Sequence, residues 1–459
     1  MNKQISFKEA VTILILMLVM LGWGVIGFGL SPQIPVLTVI ALLIFWLQIR
    51  GFEWEEVMKG ISQGISTAIV PIFIFLLIGT LIAVWIQAGI IQSLMVLGFH
   101  MISSHFFVPS VFLVCSLVGL AIGSCFTTVS TVGIALFGMG STLGINPALT
   151  AGAIISGAIF GDKMSPLSDS TNLASAVAET DLFDHIKNMM WSTIPAFIGS
   201  LLFFFFLGHS NKSTSLAGIA AVESSLRQNF SVSFWAALPI ILMFACAWKK
   251  VPAIQTLFAN IFLSVAMIFV QNPGFKMQKL ATLIESGYVS NSGNKTIDAL
   301  LTRGGISSMM GTVSLIIMTL ALGGILMHLG IIDSAMKPLV ERLKKPGRLI
   351  LTTIMAGIGI NLFVGEQYLS VILPANAFKP AYKRIGLAPL ALSRALEDGG
   401  SVINYLIPWG VAGSFVASAL GVPVLDFLPF TMFSLLSPVF SILSGFTGIG
   451  LKWKQEKVA

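Results

Sequence analysis

Charged residues are scarce in this sequence. Asp, Glu, Lys and Arg make up only 10% of its 459 residues, whereas an ordinary soluble domain has about 25%. Hydrophobic residues account for 56%, and the mean hydropathy is +0.93. This composition excludes a soluble globular protein. Apolar runs of roughly 17–25 residues, the length that a spanning helix needs, recur along the chain, and their continuity argues against a β-barrel, whose strands alternate.

Cysteine and the common catalytic motifs are also lacking. Cys115, Cys125 and Cys246 lie in apolar segments without a CxxC or metal-ligand spacing, so we predict small buried apolar residues rather than a redox or metal centre. The sequence has no Walker motif, HExxH or GxSxG, which argues against ATP-driven transport and hydrolytic catalysis. We therefore predict neither a cofactor nor an enzymatic activity.

The excess of basic residues has a simple explanation in a membrane protein. The formal net charge is +7, but the basic residues lie in short loops between apolar runs, where they orient the protein in the bilayer. Nucleic acid is therefore not predicted as a partner. The first run, from Val11 to about Leu30, lacks a small-residue cleavage site and is predicted to be a retained span rather than a signal peptide.

The two halves of the chain are related in sequence. Gly64–Ser66 recurs as Gly305–Ser307, and residues 64–95 and 305–336 share nine identities in 32 positions. Four further residues recur at a shift of 242: Gly144, Pro147, Pro166 and Asp184 correspond to Gly386, Pro389, Pro408 and Asp426. The pattern predicts an all-α polytopic membrane protein with two inverted structural repeats, broken or re-entrant helices, and about 11–13 membrane segments, as in secondary transporters.

The charge distribution divides and orients these repeats. We expect residues 1–208 to form the first transmembrane repeat, 209–229 a connector, 230–448 the second repeat, and 449–459 a basic cytoplasmic tail. The loop from Lys337 to Arg348 is strongly basic and is predicted to be cytoplasmic. The protein is therefore expected to be a multi-pass protein of the cell membrane with both termini in the cytoplasm. Whether it forms a homodimer stays open.

A polar stretch between two apolar segments is the strongest functional signal. Gly161–Ala174 reads GDKMSPLSDSTNLA, and a lipid-facing helix could not carry its charges, which cost at least about 2.5–3.5 kcal/mol each at bilayer depth. It is either a surface loop or irregular backbone that lines an internal site. Because Pro166 aligns with Pro408, and proline breaks a helix, matching breaks in both repeats favour the internal site.

Asp162 and Asp169 are the leading candidates for binding Na⁺. Pro166 places them on either side of the predicted break, where freed carbonyls and polar side chains can complete a cation site. A proton can compete for the same carboxylate, and such competition is sufficient for antiport. The neutral groups predicted to act as ligands or caps are Ser165, Ser168, Ser170, Thr171 and Asn172. An alternative is that Ser168, Asp169 and Ser170 form only a helix N-cap.

The second half carries its own polar candidates. Glu397 and Asp398 are predicted either to relay protons and supply further ion ligands, or to belong to a structural ion pair in which Arg394 contacts Glu397 at i,i+3. Possible supporting residues are Lys163, Arg394, Glu366, Thr128 and Asn404. Lys163 is predicted to be a counter-charge or a snorkelling residue rather than a proton carrier. A further polar group, Glu179, Asp181, Asp184 and His185, is predicted to lie in a solvated loop.

The run Gly161–Ala174 resembles the distinctive motif of the NhaC-type sodium/proton antiporter family, and the stretch Arg394–Asp398 is also similar. The resemblance extends over nearly the whole chain. It implies a cation antiporter of the cytoplasmic membrane within the wider ion-transporter superfamily of inverted repeats. Because the family includes members similar to malate/lactate exchangers coupled to Na⁺ and H⁺, the resemblance leaves the substrate open.

Two functions are therefore considered. The first is exchange of cytoplasmic Na⁺ for external H⁺ by alternating access. The alternative is Na⁺- or H⁺-coupled exchange of a small carboxylate (malate- or lactate-like) or an amino acid, with Arg394 or Lys163 binding the anion. An ion channel is disfavoured, because a repeat with paired broken helices suits alternating access better.

Overall fold

The computed structural model describes residues 5–101, 106–208, 216–249, 251–341 and 343–453, and this part of the chain contains α-helices and no β-strand. The first eleven helices are α1 (Phe7–Gly22), α2 (Gln33–Ile49), α3 (Trp54–Ser66), α4 (Ile69–Gln87), α5 (Ile90–Met101), α6 (Phe107–Ile122), α7 (Cys125–Thr128), α8 (Ile134–Thr142), α9 (Pro147–Met164), α10 (Asp169–Ala178) and α11 (Leu182–Leu207). They are followed by α12 (Leu216–Asn229), α13 (Ala237–Trp248), α14 (Ala253–Gln271), α15 (Met277–Ser286), α16 (Lys295–Leu301), α17 (Ile306–His328), α18 (Ile331–Glu341), α19 (Pro346–Val364), α20 (Gln367–Arg384), α21 (Pro389–Leu396), α22 (Val411–Leu420), α23 (Val424–Phe427) and α24 (Met432–Thr447).

Many of these helices are long and apolar enough to cross a membrane. Seven qualify among the described residues, and the number rises to 10 if each of three sharply bent pairs is one span. Two shorter apolar helices, α2 and α6, lie beside them. Large apolar side chains such as Phe45, Phe206 and Trp248 are exposed on the outside, where lipid covers them. The prediction of an all-α polytopic membrane protein is confirmed.

Two helix breaks bring polar residues inside the bundle. The first separates α9 from α10 at residues 165–168, and the second follows a short 3₁₀ turn, Asn404–Leu406, before α22. Pro166 and Pro408 lie in these breaks, because proline has no N–H to continue the helical ladder. The predicted position of the first break is therefore correct.

Glycines allow helix backbones to touch around the first break. A Cβ on Gly161 of α9 would lie 2.4 Å from the backbone nitrogen of Leu120 in α6, and one on Gly157 would lie 2.4 Å from the carbonyl oxygen of Phe112. Only glycine permits this close approach, which is typical of packed membrane helices. The α6–α9 contact thus fixes the helix that carries Asp162 and Lys163.

A second close contact holds the other acidic segment. α21 continues into a π-helical turn, Glu397–Ser401, and a Cβ on Gly399 would lie 2.6 Å from the carbonyl oxygen of Ile354 in α19. π-Helical turns inside α-helices occur frequently at functional sites. The turn is packed directly against the α19 backbone and positions Glu397 and Asp398.

Candidate functional site

A buried ion pair joins the two polar segments. Nζ of Lys163 on α9 lies 2.6 Å from Oδ1 of Asp398, and the two residues are 1% and 0% exposed. The partners are 235 positions apart in sequence. Lys163 is therefore the counter-charge of Asp398 in this structure.

Hydroxyl groups complete the surroundings of this pair. Ser437 of α24 donates to Asp398 Oδ1 at 2.6 Å, and Ser192 of α11 donates to Oδ2 at 2.8 Å. The Lys163 ammonium also donates to Ser437 at 2.8 Å. A buried pair is tolerated when further hydrogen bonds satisfy its remaining donors and acceptors, and both serines do this.

Asp162 and Asp169 differ in their exposure. Asp162 is half-buried, whereas Asp169 is exposed as the first residue of α10. The Asp162 carboxylate interacts with the Ser168 hydroxyl, with the backbone N–H of Cys125, and electrostatically with Asp169. That N–H belongs to the first turn of α7, where the unpaired donors of a helix N-terminus attract negative charge. Asp162 therefore lies between the helix break and a helix N-terminus.

The other polar residues of the break mainly close the broken backbone. Ser168 is the N-cap of α10 and accepts from Thr171 N–H, while the Thr171 hydroxyl donates to the Lys163 carbonyl at 3.0 Å. The Asn172 amide donates to the carbonyls of Pro166 at 3.0 Å and Ser168 at 2.7 Å. The predicted N-cap is thus present. Thr171 and Asn172 thus add side-chain hydrogen bonds to carbonyls on both sides of the break and stabilise it.

Ser165 ends α9 and has a similar role. Its backbone N–H donates to the Asp162 carbonyl at 3.2 Å, and its hydroxyl accepts from Leu167 N–H at 3.2 Å. The side chain is buried. Ser165 holds the backbone turn immediately after Asp162.

Glu397 is buried without a bonded cation. Its side chain is 0% exposed, and Oε1 accepts a hydrogen bond of 2.9 Å from Ser170 of α10. Among the described residues, neither Oε2 nor the buried Ser401 hydroxyl beside it meets the distance and angle of a full hydrogen bond, and the hydroxyl acts on the carboxylate as a nearby dipole that favours its ionised form. Lys163 and Asp162 act on Glu397 electrostatically. The carboxylate therefore has unused acceptor capacity inside the protein.

The predicted ion pair between Arg394 and Glu397 is wrong. The Arg394 guanidinium points towards the end of the chain, where it donates to the Ser444 hydroxyl at 2.7 Å and to the carbonyls of Asn188 and Gly450 at 3.5 Å each. Residues at i,i+3 of a helix can meet, but here α24 and α11 supply closer acceptors. Arg394 thus fixes α21 to the C-terminal helix.

The remaining predicted residues surround the site at other helix ends. Glu366 is buried and accepts from Leu369 N–H at 2.8 Å, as the N-cap of α20. The Thr128 hydroxyl donates to the Ser124 carbonyl at 2.8 Å. Asn404 donates to Asn361 Oδ1 at 2.6 Å. All three are paired within the protein.

Asn361 is a buried residue that the sequence interpretation did not single out as a candidate ligand. Its amide donates to the carbonyls of Gly400 at 2.6 Å and Gly399 at 3.3 Å, and its Oδ1 also accepts from Ser370 at 3.1 Å. These carbonyls belong to the π-helical turn, whose backbone bonding is irregular. Asn361 therefore links α19, α20 and the turn that carries the acidic pair.

His185 is not in a solvated loop. Asp181, Asp184 and Glu179 are exposed as predicted, but His185 is buried in α11, with its Nδ1 2.8 Å from the Ser393 hydroxyl. Its polar neighbours in sequence caused the wrong prediction. A spacing signal was available: the polar residues His185, Asn188 and Ser192 of α11 are all buried, and their intervals of three and four residues place them on one helix face.

The regular spacing of serines in α24 is a second signal, and it identifies the helix face that borders the site. Ser434, Ser437, Ser441 and Ser444 are all buried, at intervals of three and four residues. Two of them contact Asp398 and Arg394. Among the residues that the structure describes, no three His, Cys, Asp or Glu side chains converge as a resident metal centre would require.

The chain is similar to known membrane antiporters along its whole length. The family model described as "Na+/H+ antiporter family" matches residues 5–171 and 157–449. The chain is 37% identical to the Na⁺/H⁺ antiporter NhaC of Alkalihalophilus pseudofirmus, with 99% of each chain covered. It is 39% identical to NhaC of Bacillus subtilis, with 97% of this chain and 99% of that one covered.

Another relative is named for the exchange of organic anions. The malate-2H⁺/Na⁺-lactate antiporter of Bacillus subtilis is 31% identical over 92% of both chains. Both the family model and these full-length relatives agree with the resemblance carried by Gly161–Ala174. This chain belongs to the Na⁺/H⁺ antiporter family.

Proposed function

We propose that this protein exchanges Na⁺ for H⁺ across the cell membrane by alternating access. The observation that carries the proposal is that acidic residues from both halves of the chain lie close together inside the helix bundle. Asp162 comes from the first half, and Glu397 and Asp398 come from the second. Lys163 is ion-paired with Asp398. Asp162 and Glu397 are therefore the carboxylates proposed to bind the transported ions. Carboxylates inside a membrane protein are expensive and mark ion or proton pathways. The identity to two Na⁺/H⁺ antiporters supports the same assignment.

Asp162 is the proposed primary Na⁺ ligand. It is half-buried, so an ion can reach it, and Ser168 and Asp169 are its polar neighbours. The carbonyls of Asp162 and Lys163 also lie at the broken end of α9, although Thr171 already donates to them. Asp169 is exposed and is the proposed outer ligand that attracts the cation. Broken helices of secondary transporters bind cations with this combination of groups.

Matching helix boundaries support two structural repeats. Pro147–Met164 and Pro389–Leu406 are offset by 242 residues at both ends, and α10 and α22 have the same offset at both ends. α6 and α19 end at the same offset, each followed by a left-handed glycine, Gly123 and Gly365. The glycine contacts repeat too, since Gly157 touches Phe112 as Gly399 touches Ile354. The connector proposed at 209–229 begins with residues outside the described part.

Reciprocal contacts support a two-fold relation between the repeats. Under a shift of 241, Gly64 corresponds to Gly305, and Gly79 corresponds to Leu320. A Cβ on Gly64 would overlap the carbonyl oxygen of Leu320, and one on Gly79 would lie 2.5 Å from the carbonyl oxygen of Gly305. Gly64 thus contacts the counterpart of Gly79, and Gly79 contacts the counterpart of Gly64, which is the pattern of a two-fold interface. We propose inverted repeats, with both termini on the cytoplasmic side because of the basic loop from Lys337 to Arg348.

The organic-anion alternative has less support from the site. Lys163 is bound to Asp398 and Ser437, and Arg394 is bound to Ser444 and two carbonyls. Neither cation is free to hold a carboxylate. Because one relative is a malate/lactate antiporter, transport of organic anions is measured beside Na⁺ transport in the test below.

Flux measurements in proteoliposomes test the assignment. With an outward-directed proton gradient, purified protein should accumulate ²²Na⁺, and labelled malate, lactate and arginine should remain at the level of protein-free vesicles. Uptake of any of these organic solutes above that level, coupled to Na⁺ or H⁺, would contradict it. So would the absence of Na⁺ uptake by protein that is folded and monodisperse.

A further inference from the structure

We infer that the exchanged proton binds at Glu397, on a site separate from the Na⁺ site at Asp162. The inference rests on the proposed Na⁺/H⁺ exchange and assigns its two ions to different carboxylates. Its starting point is Oε2 of Glu397, whose polar neighbour is the Ser401 hydroxyl and which forms no full hydrogen bond among the described residues. Both side chains are buried.

No cation is bonded to the Glu397 carboxylate among the residues that the structure describes. The charged or titratable groups that face this region are Lys163 and Asp162 from α9, His185 from α11, and Asp398 and Arg394 from its own segment. The one ammonium is bonded to Asp398 at 2.6 Å, and Arg394 is bonded elsewhere. An ionised carboxylate without a counter-charge is costly in such an interior, so it takes up a proton or a metal cation.

The surroundings favour a proton over Na⁺. A metal cation needs several oxygen ligands, whereas the polar side chains beside the Glu397 carboxylate are the hydroxyls of Ser170 and Ser401. The nearby Lys163 ammonium would repel a second cation. A proton needs only one lone pair, and Oε2 offers one. At Asp162, by contrast, the helix break and half-exposure suit a larger ion.

Antiport follows from the electrostatic interaction between the two carboxylates. Asp162 and Glu397 act on each other electrostatically. Na⁺ at Asp162 removes negative potential and weakens proton binding at Glu397, and a proton at Glu397 weakens Na⁺ binding by the same factor. The two ions therefore exclude each other without sharing a ligand.

The test is Na⁺ binding by the purified full-length protein as a function of pH, for wild type and Glu397→Gln. The neutral amide imitates the protonated side chain. Wild-type Kd for Na⁺ should rise on acidification by a total of roughly 5- to 150-fold, the usual range of coupling between two sites, and Na⁺ binding should release protons. Glu397→Gln should still bind Na⁺, with a high Kd that is much less dependent on pH and with little proton release. Glu179→Gln, at an exposed position, is the matched control and should behave as wild type.

Two outcomes would overturn the inference. Wild-type pH dependence in Glu397→Gln would place the competing proton on another group, and loss of all Na⁺ binding in folded Glu397→Gln would make Glu397 a Na⁺ ligand. Neither result affects the proposed exchange, which fails only if the wild type moves no Na⁺ against H⁺. If Glu397→Gln does not fold, Ser401→Ala provides the test. Because the Ser401 hydroxyl favours the ionised carboxylate, its loss should move the pH midpoint of the competition between proton and Na⁺ binding to higher pH. An unchanged midpoint contradicts the inference.

Discussion

At the residue scale, Lys163 and Asp398 show how a charge can be stable inside the bilayer. Two serines from two other helices bond to the pair, and the Lys163 Nζ lies 5.9 Å from the centre of the Phe433 ring. The protein thus supplies hydrogen bonds in place of water. Removing one partner leaves the other charge buried and unpaired, which strongly lowers the stability of the folded protein.

Lys163→Met should therefore lower the free energy of unfolding by about 3–5 kcal/mol. The double variant Lys163→Met/Asp398→Leu should recover most of that loss, because neither charge remains. Thermal unfolding in detergent, followed by fluorescence-detected size-exclusion chromatography, measures both effects.

Lys379→Met is the matched control for this experiment. It removes an ion pair to Glu179, which is exposed, so solvent compensates and little change is expected. Equal thermal stability of Lys163→Met and Lys379→Met would contradict a stabilising role for the buried pair.

The sequence identified the charged residues of the site, but it did not identify the residues that bind them. From the sequence, Lys163 was predicted to be either a counter-charge or a snorkelling residue, without a named partner. Its partner Asp398 could not be derived, since the contact spans 235 positions and joins α9 to the π-helical turn after α21. Ser192 and Ser437 were missed because a lone serine in an apolar helix carries no signal until its spacing to other polar residues is considered.

At the element scale, α6 and α9 form a close glycine contact beside the site. Gly161 precedes Asp162 directly, so the approach of α6 determines where the carboxylate points. A Cβ at this position would lie 2.4 Å from the backbone of Leu120 and 2.5 Å from that of Gly119, and backbone atoms cannot rotate away as a flexible side chain can.

Gly161→Ala should therefore destabilise the protein by about 1–3 kcal/mol, the typical cost of overpacking, and should also weaken Na⁺ binding. Gly22→Ala in α1 is the control, because nothing lies within 4 Å of its new Cβ. Thermal unfolding and Na⁺ binding are measured for both variants. The packing argument is wrong if Gly161→Ala is as stable as Gly22→Ala.

Proline and capping residues made the first break predictable. Pro166 excludes a continuous helix, and Ser168 is a favoured N-cap. The π-helical turn at Glu397–Ser401 was not predicted, since its geometry depends on Asn361, which binds two of its carbonyls from a different helix. A local sequence pattern does not contain that contact.

At the scale of the whole molecule, the hydrophobic runs were sufficient to predict a polytopic helical membrane protein. The repeat in sequence also located the second break, because Pro408 was found through its match to Pro166. The site itself assembles from α9, α10, α11, α24 and the turn after α21. Such convergence of distant segments required the folded structure.

The central claim is that Asp162 carries Na⁺ in exchange for protons. The most direct measurement is the collapse of a preformed pH gradient in proteoliposomes on addition of Na⁺, compared between wild type and Asp162→Asn. Wild type should dissipate the gradient in a Na⁺-dependent manner, and Asp162→Asn should lose this activity while eluting as a folded, monodisperse protein. Full Na⁺-dependent proton movement by Asp162→Asn would contradict the account.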